Sequence, residues 1–496
     1  MGFKADTSFL RFLSMGAAGA RQTIGQLRAA GFAPIELERY CTSNKIWATK
    51  VKRLRLPDLL CVRTGLRVEV RAKSDLKIRM SDAPNNADRR WDTGLRDDDV
   101  TALIACVDEN GTPVPANEAV FFTVGDLRAS VETSALGPAK SASEGAERDR
   151  TWPSTVPKKN GEVQHVDTDR LRVLMDAEGD GRARPQMFAL KDKRGHVKTA
   201  YVRPGDRFVG GASILAGTPP WLASLSTYRQ HVYNPLAHLD ADTAVDRYAA
   251  VKSLPFRPDL TQAAVSAIEA RLDVEREDRV LLEAAGAGTA LGSTKALDRL
   301  AAILWTQERE DLRMEAVLIL TELRAHGARE ILNRVARDPR FETDEIRQAA
   351  VWGLGKAGLE HYDDLLTFIN DPDRDVALHA IVGFGHDANA AVVDQLIADL
   401  LAEDHSRSPA ASEALRCIGN DLVLERLIAA KRGRNHPDPW LLATLGRLAP
   451  DRVRTALAGD PILDQLAPLL LLSDRTNWIA DNAVDIDLKF LLKQNL

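Results

Sequence analysis

Asp58 and Glu69 stand eleven residues apart in RLPDLLCVRTGLRVEVRAK (Arg55–Lys73), and Arg71 and Lys73 follow Glu69 at alternate positions. Two carboxylates can hold a hard divalent cation through oxygen. A bound cation of that kind lowers the pKa of its water and stabilises an oxyanion, while a neighbouring ammonium or guanidinium offsets charge on a phosphorane. These residue types in this order therefore point to hydrolysis of a phosphodiester.

The chemistry depends on two strands meeting. PDLLCV and RVEVRAK are separated by the turn RTGL, so pairing as a hairpin brings Asp58 and Glu69 to one end. The two-residue period of a strand puts Glu69, Arg71 and Lys73 on one face and Val68, Val70 and Ala72 on the other. A face carrying an acid and two cations is costly to pack against a core. It is expected to meet solvent, a metal or a phosphate. Around the hairpin, GAAGARQTIGQLRAAGF (Gly16–Phe32) predicts a helix closing at Gly31, and PIELERY, VTALIACV and AVFFTVGDL predict further strands. The first 130 residues are thus expected to form an α/β or α+β layer domain.

This arrangement resembles the PD-(D/E)XK nuclease superfamily, in which a Pro-Asp ends one strand and an acid followed by an alternating lysine lies on the next. The helix and trailing strands are similar to its α-β-β-β-α-β core. The resemblance implies a restriction-endonuclease-like domain with Asp58, Glu69 and the main-chain carbonyl of Val70 as ligands of Mg²⁺ or Mn²⁺. It gives Arg71 and Lys73 catalytic roles. Here the residue two after Glu69 is Arg71, and the lysine comes two further on at Lys73. An arginine does not carry protons. The predicted helix has no acid to add, and Glu36 and Glu38 are the nearby substitutes.

Local charge favours a polyanion. Between Lys45 and Arg79 there are eleven basic residues against three acids, in a chain of net charge −5. A surplus concentrated in this way suits a phosphate backbone. Lys45, Lys50, Lys52, Arg53, Arg55 and Lys77 are the expected DNA contacts.

The remaining chain has three textures. Ser134–Glu162 is rich in Ser, Gly, Pro and charge, which predicts a flexible linker over about 131–162. Residues 163–235 read as a small β-rich module, with a turn near Lys193–Gly195 and another at Pro204–Asp206. From 236 onwards amphipathic helices repeat: RVLLEAAG, RMEAVLIL and RQAAVWGL begin at Arg279, Arg313 and Arg347, 34 residues apart. Two helices per unit at this period predict an α-solenoid, which must stack to bury its apolar faces. Its basic openings, small residues and NDPDRDV turn resemble HEAT repeats, a generic binding architecture.

Other features narrow the field. Cys41, Cys61, Cys106 and Cys417 form no C-x-x-C pair, which excludes zinc ribbons and disulfide scaffolds. No apolar run reaches the ~18 residues of a membrane span, and no signal peptide is evident at the N-terminus. A cytoplasmic protein is expected. DAEGDG (Asp176–Gly181) imitates a calcium loop but has Met187 where the bidentate glutamate belongs. Trp305, Trp352 and Trp440 are expected in the solenoid core.

The resulting expectation is a Mg²⁺-dependent DNA endonuclease whose solenoid docks a protein partner or holds the duplex, an assembly suited to bacterial defence or repair. Its rival is a non-catalytic DNA-binding or scaffold protein with a degenerate nuclease fold. A third reading places chemistry in the solenoid, as in HEAT-like DNA glycosylases.

Overall fold

The structure, a computed structural model, describes residues 7–37, 47–49, 51, 54–109, 112–140, 147–177, 179, 182–323, 326–341, 345–356, 362–432 and 438–466; side chains are described from residue 15. The chain divides into two compact units. One comprises Gly2–Arg39 and Arg53–Thr261, and the other gathers Tyr40–Lys52 with Gln262–Leu496. The boundary near 261, rather than 235, reflects how closely the β-rich region is built into the first unit.

In the first unit, α1 (Thr7–Ala29) precedes β1 (Pro34–Glu36), β2 (Leu59–Cys61) and β3 (Arg67–Lys73). After β4 (Arg79–Asp82) come β5 (Val100–Glu109), β6 (Thr112–Pro115), β7 (Val120–Thr123) and α2 (Val124–Ala129). The main sheet runs β1-β2-β3-β5-β6, with β7 pairing the first half of β5. Among the described residues of this sheet, only β3 and β5 pair in parallel. Parallel neighbours need a crossover. Here it is the segment 74–99, which carries β4 and a single 3₁₀ turn at Ala87–Arg89 instead of an α-helix.

Alternation in β3 does what the sequence predicts for one face. Val68, Val70 and Ala72 pack with Met15 and Leu27 of α1 in one core. The helix lies so close that a Cβ on Gly19 would fall 2.7 Å from Ala72 Cβ, so only glycine fits there. The turn between β2 and β3 closes through Gly65, whose φ of +74° suits glycine.

The segment expected to be a linker is instead woven into sheets. It holds β8 (Ala135–Ala139), β9 (Arg148–Thr151), β10 (Ser154–Thr155) and the start of β11 (Gly161–Val166). β9 pairs with β4 on one edge and β8 on the other. Trp152 is fully buried against Trp91, Leu103 and Phe122. Composition misled here because one buried tryptophan and strand pairing anchor a stretch that is otherwise polar. Beyond it, β12 (Arg170–Met175), β13 (Arg184–Ala189), β14 (Thr199–Ala200), β15 (Arg207–Phe208) and β16 (Ala216–Gly217) form two small sheets, β13-β12-β11-β15 and β10-β16-β14. Both expected turns are present, with Gly195 and Gly205 at φ +90° and +91°. Asp176 pairs with Arg207, as suits a surface turn. α3 (Ala244–Ser253) completes the unit.

The second unit is helical. One series is α5 (Asp278–Ala290), α7 (Glu310–Glu322), α9 (Glu345–Lys356), α11 (Arg374–Val382), α13 (Ser408–Ile418) and α15 (Pro439–Gly446); each packs on the next. Between them lie α6 (Thr294–Thr306), α8 (His326–Arg337), α10 (Tyr362–Leu366), α12 (Ala390–Leu400), α14 (Asp421–Arg432) and α16 (Pro450–Ala456), while α4 (Thr261–Val274) begins at the boundary. This is a stack of helix pairs, as the 34-residue period predicts. Arg279 and Arg347 are structural: Arg279 joins Asp311 and Glu315 on α7 of the next repeat, and Arg347 pairs with Asp371.

Candidate functional site

The β2–β3 register sets the central geometry. Leu59 faces Val68 and Leu60 faces Arg67, so the next step of the ladder puts Asp58 opposite Glu69. Asp58 is held there by its own side chain, whose Oδ2 accepts the Val70 N–H at 2.6 Å. The Asp58 carbonyl accepts the Leu37 N–H, fixing the residue from the β1 side as well. The sequence-predicted pair therefore lies at facing backbone positions, Asp58 just before β2 and Glu69 within β3.

Glu69, Arg71 and Lys73 share a face, but it is more enclosed than expected. Glu69 is buried, and Arg71 and Lys73 are half-buried. Their parallel neighbours Leu103 and Ala105 belong to the second core, roofed by Leu76, Ile78, Met80 and Trp152. Arg71 Nη2 lies 2.5 Å from Glu69 Oε1. Burial, reinforced by the charges of Lys140 and Arg71, lowers the Lys73 pKa to about 8, with Asp149 opposing the shift. Lys140 and Asp149 form a 2.8 Å ion pair beside β9. Sequence reasoning missed both because they lie in the supposed linker. The available signal was the alternating RDRT preceding Trp152, a strand pattern.

Several predicted contacts resolve differently. Lys45, Lys50, Lys52, Arg53 and Glu38 lie outside the described residues. Arg55 and Lys77 are exposed, and Lys77 pairs with Asp75 at 2.5 Å. Glu36 is exposed. Arg67 does not belong to a phosphate footprint: it is 2% exposed, bonded to Asp99, Asp246 and the Gly94 carbonyl. Arg79 is engaged by Asp75 and Asp149. Acids from outside the window thus engage Arg67 and Arg79, which a count over the window does not detect. Lys77 also joins cations from outside the window: a cleft of 510 Å³ is lined by Lys77, Lys193, Arg194 and Lys198, together with Asp192 and Trp152.

Among the described residues no group of three or more His, Cys, Asp and Glu side chains is positioned to hold a metal. The smaller set of Asp58, Glu69 and a main-chain carbonyl is all oxygen, the donor type that Mg²⁺ and Mn²⁺ prefer, so its chemistry fits such an ion. Arg71 competes for the Glu69 carboxylate.

No family model and no curated protein matches the chain. Part of it is similar to solved structures: the complex of CpcE and CpcF of phycocyanin lyase from Nostoc sp. PCC7120 (21% identity, 49% of this chain and 94% of that one, TM-score 0.25). Human deoxyhypusine hydroxylase is similar at 18% identity over 45% of this chain and all of that one, TM-score 0.22. An engineered protein shares 16% identity over 52% of this chain and 77% of its own, TM-score 0.23. Among the described residues no helix is long and apolar enough to cross a membrane.

Proposed function

We propose that the first unit is a metal-dependent DNA endonuclease of the PD-(D/E)XK type, with Asp58 and Glu69 as its carboxylates. The observation that carries this reading is the β2–β3 register, whose next step sets Asp58, just before β2, across from Glu69, with Arg71 and Lys73 following on the Glu69 face. The order α1-β1-β2-β3, crossover, β5 supports it, although the crossover has no helix. The Lys193–Arg194 cleft supports an anionic, phosphate-rich substrate.

Asp58, Glu69 and the Val70 carbonyl are the groups that would hold the divalent ion. That ion, when bound, supplies an activated water and a Lewis acid. The Asp58–Val70 hydrogen bond fixes one carboxylate before any ligand arrives. Lys73, on the same face, orients the attacking water and offsets charge building on the phosphorane. The second core keeps bulk solvent from one side of this face.

The Arg71–Glu69 ion pair favours a second reading, a DNA-binding scaffold in which the guanidinium stands in for the metal. A plasmid-cleavage assay with and without Mg²⁺ or Mn²⁺ separates the two. Metal-dependent cutting that disappears in Asp58→Ala and Glu69→Ala supports the nuclease. DNA binding without cutting, unchanged in those variants, supports the scaffold. The solenoid is assigned to docking a protein partner, in a setting of bacterial defence or repair.

A further inference from the structure

Residues 37–58 connect β1 to β2, an antiparallel pair for which two to five residues would suffice. Long loops in compact domains are commonly functional. Part of this one belongs to the helical unit. Trp47 is 2% exposed there. Its ring lies 6.0 Å from Trp352 of α9, edge to face, and 5.2 Å from His379 of α11. Both partners are themselves buried.

The backbone beside Trp47 is read as well. The N–H groups of Ala48 and Thr49 donate to the two oxygens of Glu345, at 2.5 and 2.8 Å, and the Thr49 hydroxyl donates to Glu310 at 3.1 Å. Glu310 and Glu345 each open a helix, α7 and α9, where the positive helix end favours an acid. Charge-assisted bonds from two consecutive amides to one carboxylate demand a bent segment with no proline at either donor position, and residues 47–49 are a bend. Ring contacts then select the aromatic residue, and Glu310 selects a hydroxyl two positions later. Val51 is buried too. His379 Nδ1 has no hydrogen-bond partner among the described residues, and burial lowers the ring to about 4, so it offers an uncharged aromatic wall.

We propose that Trp352, His379, Glu345 and Glu310 form a peptide-receptor site on the α7–α9–α11 face, and that its resident ligand is the chain's own Trp47-Ala48-Thr49 segment. The partner chemistry this site fits is a peptide that bends at tryptophan, a small residue and then serine or threonine. Such a peptide must compete with a tethered copy, whose effective concentration reaches the millimolar range.

The test uses the full-length protein and a fluorescein-labelled peptide with the sequence Lys45–Val51. By fluorescence anisotropy, Trp47→Ala is expected to bind it at least tenfold more tightly than the parent, and the double variant Trp47→Ala, Glu345→Ala is expected to lose that gain. Equal binding by the parent and Trp47→Ala, or no binding by a folded Trp47→Ala, overturns the proposal. A parent dimer that the peptide dissociates would identify a second copy's segment as the occupant and overturn the assignment within one chain. Hydrogen exchange gives an independent readout that needs no change at Trp47. Ala48 and Thr49 amides should be protected in the parent and exchange at least tenfold faster in Glu345→Ala, with α12 and α14 unchanged. Unprotected Ala48 and Thr49 amides in the parent overturn it.

Discussion

Arg71 reaches along its own strand to Glu69, Nη2 to Oε1 at 2.5 Å, so the acid proposed as a metal ligand already carries a cationic partner. The contact makes Arg71 a competitor as well as a neighbour. Arg71→Lys keeps a cation at the position where the nuclease pattern has lysine, but gives up the planar two-pronged grip of a guanidinium. Its cleavage rate at low Mg²⁺ should equal or exceed the parent's. Lys73→Ala should lose about a hundredfold. Rates measured across a Mg²⁺ titration check both, and a Lys73→Ala enzyme as fast as the parent removes Lys73 from the mechanism.

Asp58 is both a candidate ligand and a structural acceptor. Asp58→Ala removes the partner of the Val70 N–H, and stranding such a donor costs about 1–3 kcal/mol. The variant should therefore lose metal-dependent cleavage together with measurable stability in urea. Asp58→Asn retains an acceptor oxygen, so it should lose cleavage while recovering most of that stability. A fully active Asp58→Asn would sink the ligand assignment.

Lys73 gives the rate a defined pH dependence. Its pKa in the folded chain, about 8, is below the ordinary 10.5. Between these values the unfolded chain binds the extra proton, so the Lys73 contribution to stability rises with pH across that window. If the charged form serves catalysis, the rate falls as pH rises through about 8. In Lys73→Arg, where the guanidinium stays protonated, that descending limb should vanish. A parent profile flat across this pH contradicts the role.

How far these features could be read in advance depended on the range of the forces involved. The β2–β3 hairpin that sets Asp58 across from Glu69 was legible because a turn of four residues and a two-residue alternation are local. Likewise, the helical repeat survives in the spacing of Arg279, Arg313 and Arg347. The burial of Arg67 was not legible, since its partners Asp99 and Asp246 are 32 and 179 residues away in the chain. Nor was the docking of Trp47 on Trp352, a contact that no local period encodes. The supposed linker failed for a related reason: strand β9 gains its order from β4 and β8 on either side.

Trp152 tests that correction directly. It is fully buried and packs edge to face on Trp91, with ring centroids 5.3 Å apart. Trp152→Ala should cost about 3–5 kcal/mol, as expected for a large aromatic removed from a core. Limited proteolysis of the parent should spare Thr151–Val156. Rapid cleavage there would restore the linker reading.

The cationic cleft suits a polyanionic substrate in the proposed reaction. Lys193 and Arg194 are exposed on its rim, and Lys77 and Lys198 complete the lining. Each phosphate neutralised by a protein cation releases condensed counterions, contributing about −0.9 to the slope of log affinity against log salt on duplex DNA. Reversing both rim charges, Lys193→Glu with Arg194→Glu, should weaken binding at low salt by at least tenfold and make the slope shallower by about 2. The loss should be similar for unrelated DNA sequences, since backbone contacts carry no base information. Because both residues sit on a surface turn, thermal stability should stay near the parent's, which separates a binding effect from unfolding. Fluorescence anisotropy over a salt series measures both quantities. An unchanged slope would place the DNA elsewhere and leave the cleft without a role in the proposed reaction.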